Sequence, residues 1–234
     1  MKINPVLWSM LAVCCFSCSK QSPISTDIVT EETADSSLRV NCFITVSPQN
    51  RDSVLFWGKK LVDATRLDSG RVDYDLYVNL FDPSRLLIFE TWKSPKALSA
   101  HENAAHIKTI VPKLRHLAEM SADIMPLAPQ QAATASAIDS LVRINGQMTV
   151  KEGQRDSLMS LIREMAELSR QDSGCIHYEF FENVAATDHL LLIETWMSRE
   201  TLENHKLASH FKRLVPEIGR YSSMQAKLFM LPKK

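Results

Sequence analysis

ETWKSPKALSAHENAAH, residues Glu90–His106, returns as ETWMSRETLENHKLASH, residues Glu194–His210, at an offset of 104 (194 − 90). The same Glu, Thr, Trp, Ser, Leu and two His recur in the same order. Working outward, residues 39–127 align with residues 143–231 without a gap. About 28 of roughly 89 positions are identical, far above the handful that chance supplies. A period this long is that of a whole small domain, much longer than a solenoid repeat. The chain therefore reads as two copies of one domain, residues 38–127 and 143–234, joined by a linker, 128–142, rich in Ala, Gln and Ser.

Each copy gives the same pattern of elements. RVNCFITV and RINGQMTV are β-branched runs of period two, hence strands. Apolar residues then recur at helical spacing, as in Leu158, Leu161, Ile162, Met165 and Leu168. Gly70 or Gly174 stands where a helix C-cap is expected. VDYDLYVNLF and IHYEFFENVA alternate again, and the first is followed by an Asp82-Pro83-Ser84 turn. RLLIFETW and HLLLIETW are third strands, apolar on both faces. A second helix opens at Ser94-Pro95 or Ser198-Arg199, where Ser is a good N-cap and Pro a good first helical residue. ADIMPL and AKLFML close the copies as final strands. The order β-α-β-β-α-β is the ferredoxin-like plan, an α+β fold.

The third strand carries a further expectation. Leu86, Ile88 and Trp92 lie on one face and Leu87 and Phe89 on the other, so both faces need cover. Helices supply one side and a second sheet the other. The two copies are predicted to pack sheet to sheet as an intramolecular pseudo-dimer; pairing between chains would meet the same need.

Composition bounds the partners. Of 234 residues 45% are apolar, enough for ordinary cores, and 27 Lys plus Arg balance 27 Asp plus Glu. With no net field and no basic patch interleaved with aromatics, nucleic acid is not an expected partner. The N-terminus, MKINPVLWSMLAVCCFSCSK, has Lys2, an apolar run from Val6 to Phe16 and then Ser17-Cys18-Ser19. The run is too short to span a bilayer but suits a signal peptide, residues 1–18. It resembles a bacterial lipoprotein signal, cleaved before a lipidated Cys18, with Cys15 where such signals usually carry Leu. The resemblance implies a lipid anchor in the cell envelope, periplasmic or outer-membrane, as the one membrane contact. A plain secretory signal or an N-terminal anchor is the alternative. Residues 19–37 are polar and without period, hence a disordered tether. Cys42 and Cys175 fall at non-equivalent places in the copies and are expected as buried free thiols.

The repeated residues carry a resemblance. Gly70, Tyr74, Leu76, Asp82-Pro83, Glu90, Trp92, Ser94, Ala97-Leu98, His101 and His106 resemble the antibiotic biosynthesis monooxygenase domain, in particular the small quinol-monooxygenase-like proteins. Gly174, Tyr178, Glu194, Trp196, Ser198, Leu202, His205 and His210 match in the second copy, which lacks the Asp-Pro turn. The resemblance implies dimeric α/β barrels with a pocket between sheet and helices in each half. It implies oxygenases that use no metal, flavin or other cofactor: an aromatic quinol is deprotonated and its anion gives an electron directly to O2. A related branch degrades haem with an Asn on the first strand and a Trp and a His on the second helix. Here His101 or His205 stands nearest that Trp and Val111 or Val215 replaces the haem-ligating His. Asn41 and Asn145 near the expected Asn do not restore that triad.

Candidate site residues follow. His101 and His205, then His106 and His210, are candidate bases, since imidazole titrates near neutrality; a structural hydrogen bond is the alternative. Trp92 and Trp196 either fill the core or line the pocket. Tyr74 and Tyr178 either donate to a substrate oxygen or anchor the sheet end. Glu90 and Glu194, on the face of the Trp, either orient a helix His or pair with Lys or Arg. Asn41 and Asn145 either face the cavity or cap an edge. A metal is not expected, because two His five apart on one continuous helix diverge by about 140°. The expectation is a cofactor-free monooxygenase acting on a small aromatic quinol with O2. The alternative is a non-catalytic small-molecule-binding or scaffold lipoprotein. Oligomers beyond the pseudo-dimer remain open.

Overall fold

A computed structural model describes residues 36–127 and 140–233. The expected signal with Cys18, the tether up to residue 35 and most of the linker lie outside the described residues. The first copy runs β1 (Leu38–Val46), α1 (Arg51–Thr65), β2 (Arg71–Asn79), β3 (Arg85–Trp92), α2 (Pro95–Glu102), α3 (Ala105–Leu117) and β4 (Ala118–Pro126). The second runs β5 (Ser140–Val150), α4 (Arg155–Ser169), β6 (Cys175–Asn183), β7 (His189–Trp196), α5 (Arg199–Leu207), α6 (Ser209–Tyr221) and β8 (Ser222–Pro232). β5 begins inside the expected linker because Ser140, Leu141 and Val142 pair with Pro232, Leu231 and Met230 of β8. No helix among the described residues is long and apolar enough to cross a membrane.

Each copy has the antiparallel ferredoxin-like strand order, β4-β1-β3-β2 and β8-β5-β7-β6. Both copies belong to one compact unit, Thr33–Lys234. Leu86, Ile88 and Trp92 pack under α1, α2 and α3 with Val54, Leu61, Leu98 and Leu114. The opposite face of β3 meets the other copy: Leu87 and Phe89 cluster with Tyr77, Phe181, Leu191 and Ile193, and Phe43 packs against them. The two-faced apolar strand is thus covered by helices on one side and a second sheet on the other. Each large apolar side chain so buried is worth roughly 2–3 kcal/mol.

The sheets are also joined along an edge. β2 pairs antiparallel with β6, Tyr77 opposite Asn183 and Asn79 opposite Phe181, which makes one continuous eight-stranded sheet. Polar ties across the copies add direction. Arg143 donates from Nη2 to Asp123 Oδ2 at 3.1 Å, and Arg85 from Nη2 to Glu179 Oε2 at 3.0 Å.

Asn41 and Asn145 exchange amide hydrogen bonds, each Nδ2 donating to the other's Oδ1 at 3.0 Å. They therefore neither face a cavity, as substrate-binding residues would, nor cap an edge, the two places the sequence allowed. Alternation puts Asn41 on the strand face of Phe43, not of Val40 and Ile44 beneath the helices. A buried amide in that contact needs partners, and the pseudo-twofold supplies one.

Two local features place the site. α1 stops at Thr65 and α4 at Ser169, so Gly70 and Gly174 are not helix caps. They take φ of 79° and 81° in the turns entering β2 and β6, a region that favours glycine. A Cβ on Gly70 would sit 2.5 Å from the Ala97 Cβ of α2, and one on Gly174 2.4 Å from Thr201 Cγ2 of α5. The missing side chain lets each turn lie against the helix that carries His101 or His205. The expected second helix is in fact two. Ala104 and Ala208 are extended, with ψ of 151° and 147°, and break it between the two His.

Candidate functional site

Ser94 opens α2 by accepting from Ala97 N, and Ser198 with Thr201 forms a capping box on α5. These caps fix the helix entry directly after β3 and β7, which brings His101 over Trp92 and His205 over Trp196. The ring centroids are 4.5 Å apart in both pairs. Tyr74 lies 5.2 Å from His101, and Tyr178 5.6 Å from His205. Both tryptophans are fully buried, and each His next to them almost so.

Asp68 and Asp172, in the turns before Gly70 and Gly174, complete the arrangement. His101 Nδ1 lies 2.6 Å from Asp68 Oδ2, and His106 Nε2 lies 3.2 Å from the same oxygen. In the second copy His205 Nδ1 and His210 Nε2 stand 2.6 and 3.2 Å from Asp172 Oδ2. The helix break makes this convergence, with the His rings 5.6 and 5.5 Å apart. The expectation that the pair diverges, which assumed one continuous helix, is thereby corrected.

An ionised carboxylate only accepts, so His101 and His205 hold their hydrogen on Nδ1 and present a lone pair at Nε2. His205 Nε2 is buried and has no hydrogen-bond partner among the described residues. Burial lowers the pKa of both imidazoles, and the Asp hydrogen bond opposes that shift. A neutral, oriented imidazole is the form a general base requires.

Glu90 and Glu194 do not orient the His. Each accepts from the indole N–H two residues on, Trp92 Nε1 at 2.8 Å and Trp196 Nε1 at 2.9 Å. Burial pushes Glu90 up to about 8 and Glu194 up to about 7 from 4.5, with the indole bond pulling each back. Between pH 4.5 and about 7 or 8 the unfolded chain has released a proton that the folded chain keeps. Stability therefore falls as pH rises through that window. A Glu90→Gln/Glu194→Gln chain keeps the indole acceptors, and its urea stability is expected to fall less than that of wild type between pH 5 and 8.5. Parallel pH profiles for variant and wild type would count against carboxyls that keep their proton in the folded chain.

The sequence singles out His101, His106, Trp92, Tyr74 and their repeats, which the structure brings together; Asn41 and Asn145, also candidates for the cavity, lie elsewhere, and Asp68 and Asp172 were missed. The usable sign was the identical Asp-Ser-Gly in both copies. Among the described residues a pocket of about 160 Å³ lies elsewhere, bordered by Tyr77, Gln147, Thr149, His189, Ser223 and Gln225. Cys42 and Cys175 are free thiols, partly buried.

The antibiotic biosynthesis monooxygenase family profile matches residues 37–113 and 141–217, one match in each copy. The chain belongs to that family. An uncharacterized Synechocystis protein, sll1783, is 28% identical over 88 residues, 38% of this chain and 60% of its own length, so the chain spans about three-fifths of that relative. The Bacillus subtilis "Putative monooxygenase YcnE" is 27% identical over 86 residues, 37% of this chain and 90% of its own. A Bacteroides thetaiotaomicron crystal structure of unknown function is 30% identical, covers 40% of this chain and all of its own, and has a TM-score of 0.39. Two family matches in tandem account for the repeat at an offset of 104 residues.

Proposed function

We propose that this protein is a cofactor-independent monooxygenase that oxidises a small aromatic quinol with O2, once in each copy. The observation that carries the reading is the Asp–His pair repeated at 2.6 Å in both halves, Asp68 with His101 and Asp172 with His205. His101 Nε2 or His205 Nε2 takes the phenolic proton. The resulting anion gives one electron to O2, and the radical pair combines at ring carbon. Loss of water from the peroxide leaves one oxygen atom on the ring, giving a hydroxyquinone from quinol plus O2. Tyr74 or Tyr178, its pKa pushed well up by burial, stays protonated as a hydrogen-bond donor. The indole of Trp92 or Trp196 offers a stacking surface. As a family member behind a lipoprotein-type signal, the protein is proposed to work anchored by Cys18 at the cell envelope.

The test is O2 uptake by the purified chain on menadiol and related quinols, with product mass read in parallel. Uptake well above autoxidation, with one oxygen added to product, supports the reading; uptake at the autoxidation rate overturns it for those substrates. A second reading, a binding or scaffold protein, draws support from the tight packing around His205. Its ring is enclosed by Trp196, Tyr178, His210 and Phe211, the last 4.9 Å away. Quinol binding without any rate above autoxidation would select it.

A further inference from the structure

The geometry points to a second capacity of the same side chains: each Asp–His–His cluster is a binding site for one divalent transition ion of the zinc type. Asp68, His101 and His106 each offer a donor atom within 4.8 Å of the others, as do Asp172, His205 and His210, and in each set one Asp Oδ2 faces Nδ1 of the first His and Nε2 of the second. Tetrahedral coordination at about 2.1 Å sets donor atoms about 3.4 Å apart. The observed approaches of 2.6 and 3.2 Å both lie inside that spacing, within a side-chain adjustment of it. His210 Nε2 supplies an independent sign. It is buried and points toward Asp172 at 3.2 Å, yet makes no hydrogen bond to any described residue. An imidazole nitrogen and a carboxylate oxygen held that close with no hydrogen bond between them are a donor pair that a shared cation would satisfy. Two imidazoles and one carboxylate suit zinc, cobalt and iron, and leave a fourth position open.

Three elements build each site, the turn and the two short helices, and the second copy repeats the Asp–His distances of the first, although His106 Nε2 also lies 3.4 Å from Thr65 Oγ1. The turn supplies Asp68 because Gly70 can lie against α2, and the break at Ala104 turns His106 back toward His101. Metal on His101 Nδ1 leaves the ring hydrogen on Nε2. If the oxidation proposed above holds, the metal-loaded form has no base, and zinc switches the site off.

The test titrates Co²⁺ into the chelator-treated full chain, reading visible absorption and bound metal after gel filtration. Two equivalents per chain are expected, displaced by Zn²⁺, with one equivalent lost in His106→Ala and another in His210→Ala. Asp68→Asn and Asp172→Asn, which keep side-chain volume, give the same losses if the alanine chains fold poorly by circular dichroism. No uptake at micromolar Co²⁺, or uptake that none of these substitutions lowers, overturns the inference. Metal binding in a chain that oxidises no quinol removes the monooxygenase reading and leaves this one standing; Zn²⁺-insensitive quinol turnover with no Co²⁺ uptake does the reverse.

Discussion

A chain carrying His101→Ala and His205→Ala is expected to lose quinol-dependent O2 uptake by about 10²–10⁴-fold, the usual contribution of a positioned general base. Each ring is buried against a Trp and held by an Asp at 2.6 Å, so its orientation is set before substrate arrives. Single replacements are expected to halve the rate, since the two copies hold separate sites. His101→Gln/His205→Gln keeps most of the volume and removes the base, which separates lost chemistry from lost packing. Retained turnover in the folded Gln chain would place the proton acceptor elsewhere. Asp68→Asn/Asp172→Asn is expected to lower the rate less, because the imidazole remains but its Nδ1 hydrogen loses a charged acceptor.

Trp196→Ala is expected to cost about 4 kcal/mol or more in urea unfolding, the largest single-site stability loss in the second copy. The indole has no exposure and stacks at 4.5 Å on His205, so its removal leaves a cavity under α5. It also removes the N–H that satisfies Glu194 at 2.9 Å, leaving a buried carboxyl without its donor. Trp196→Phe fills most of the space and loses the hydrogen bond, so about 1–3 kcal/mol is expected. The same pair of substitutions at Trp92 is expected to give the same order. Because the copies share the Phe89–Phe181–Leu191 cluster and the β2–β6 edge, loss in one copy should lower a single common unfolding transition. Two separated transitions, with one unmoved by Trp196→Ala, would show that the halves fold independently.

Much of this was legible because its physics is local. The repeat, the strand and helix periods, and the Ser caps at 94 and 198 each depend on residues within one element. Burial of β3 on both faces was legible too, since a strand that is apolar at Leu86, Leu87, Ile88 and Phe89 has no solvent side. Other features depended on contacts that no single element encodes. Neither Gly nor Pro marks the break at Ala104, so the His pair read as divergent on one helix. Asp68 stands 33 positions from His101, and only the fold closes that gap.

By itself, then, the sequence determined two ferredoxin-like copies of the antibiotic biosynthesis monooxygenase family, their facing sheets, and a Trp, Tyr and His set that recurs in each. Tertiary structure alone decided that Asp68 and Asp172 orient the histidines, that Asn41 and Asn145 serve the contact between copies, and that β2 and β6 fuse the sheets. The division has one physical cause. Periodicity and capping act over a few residues, whereas a hydrogen bond between distant turns forms only where packing happens to bring donor and acceptor together.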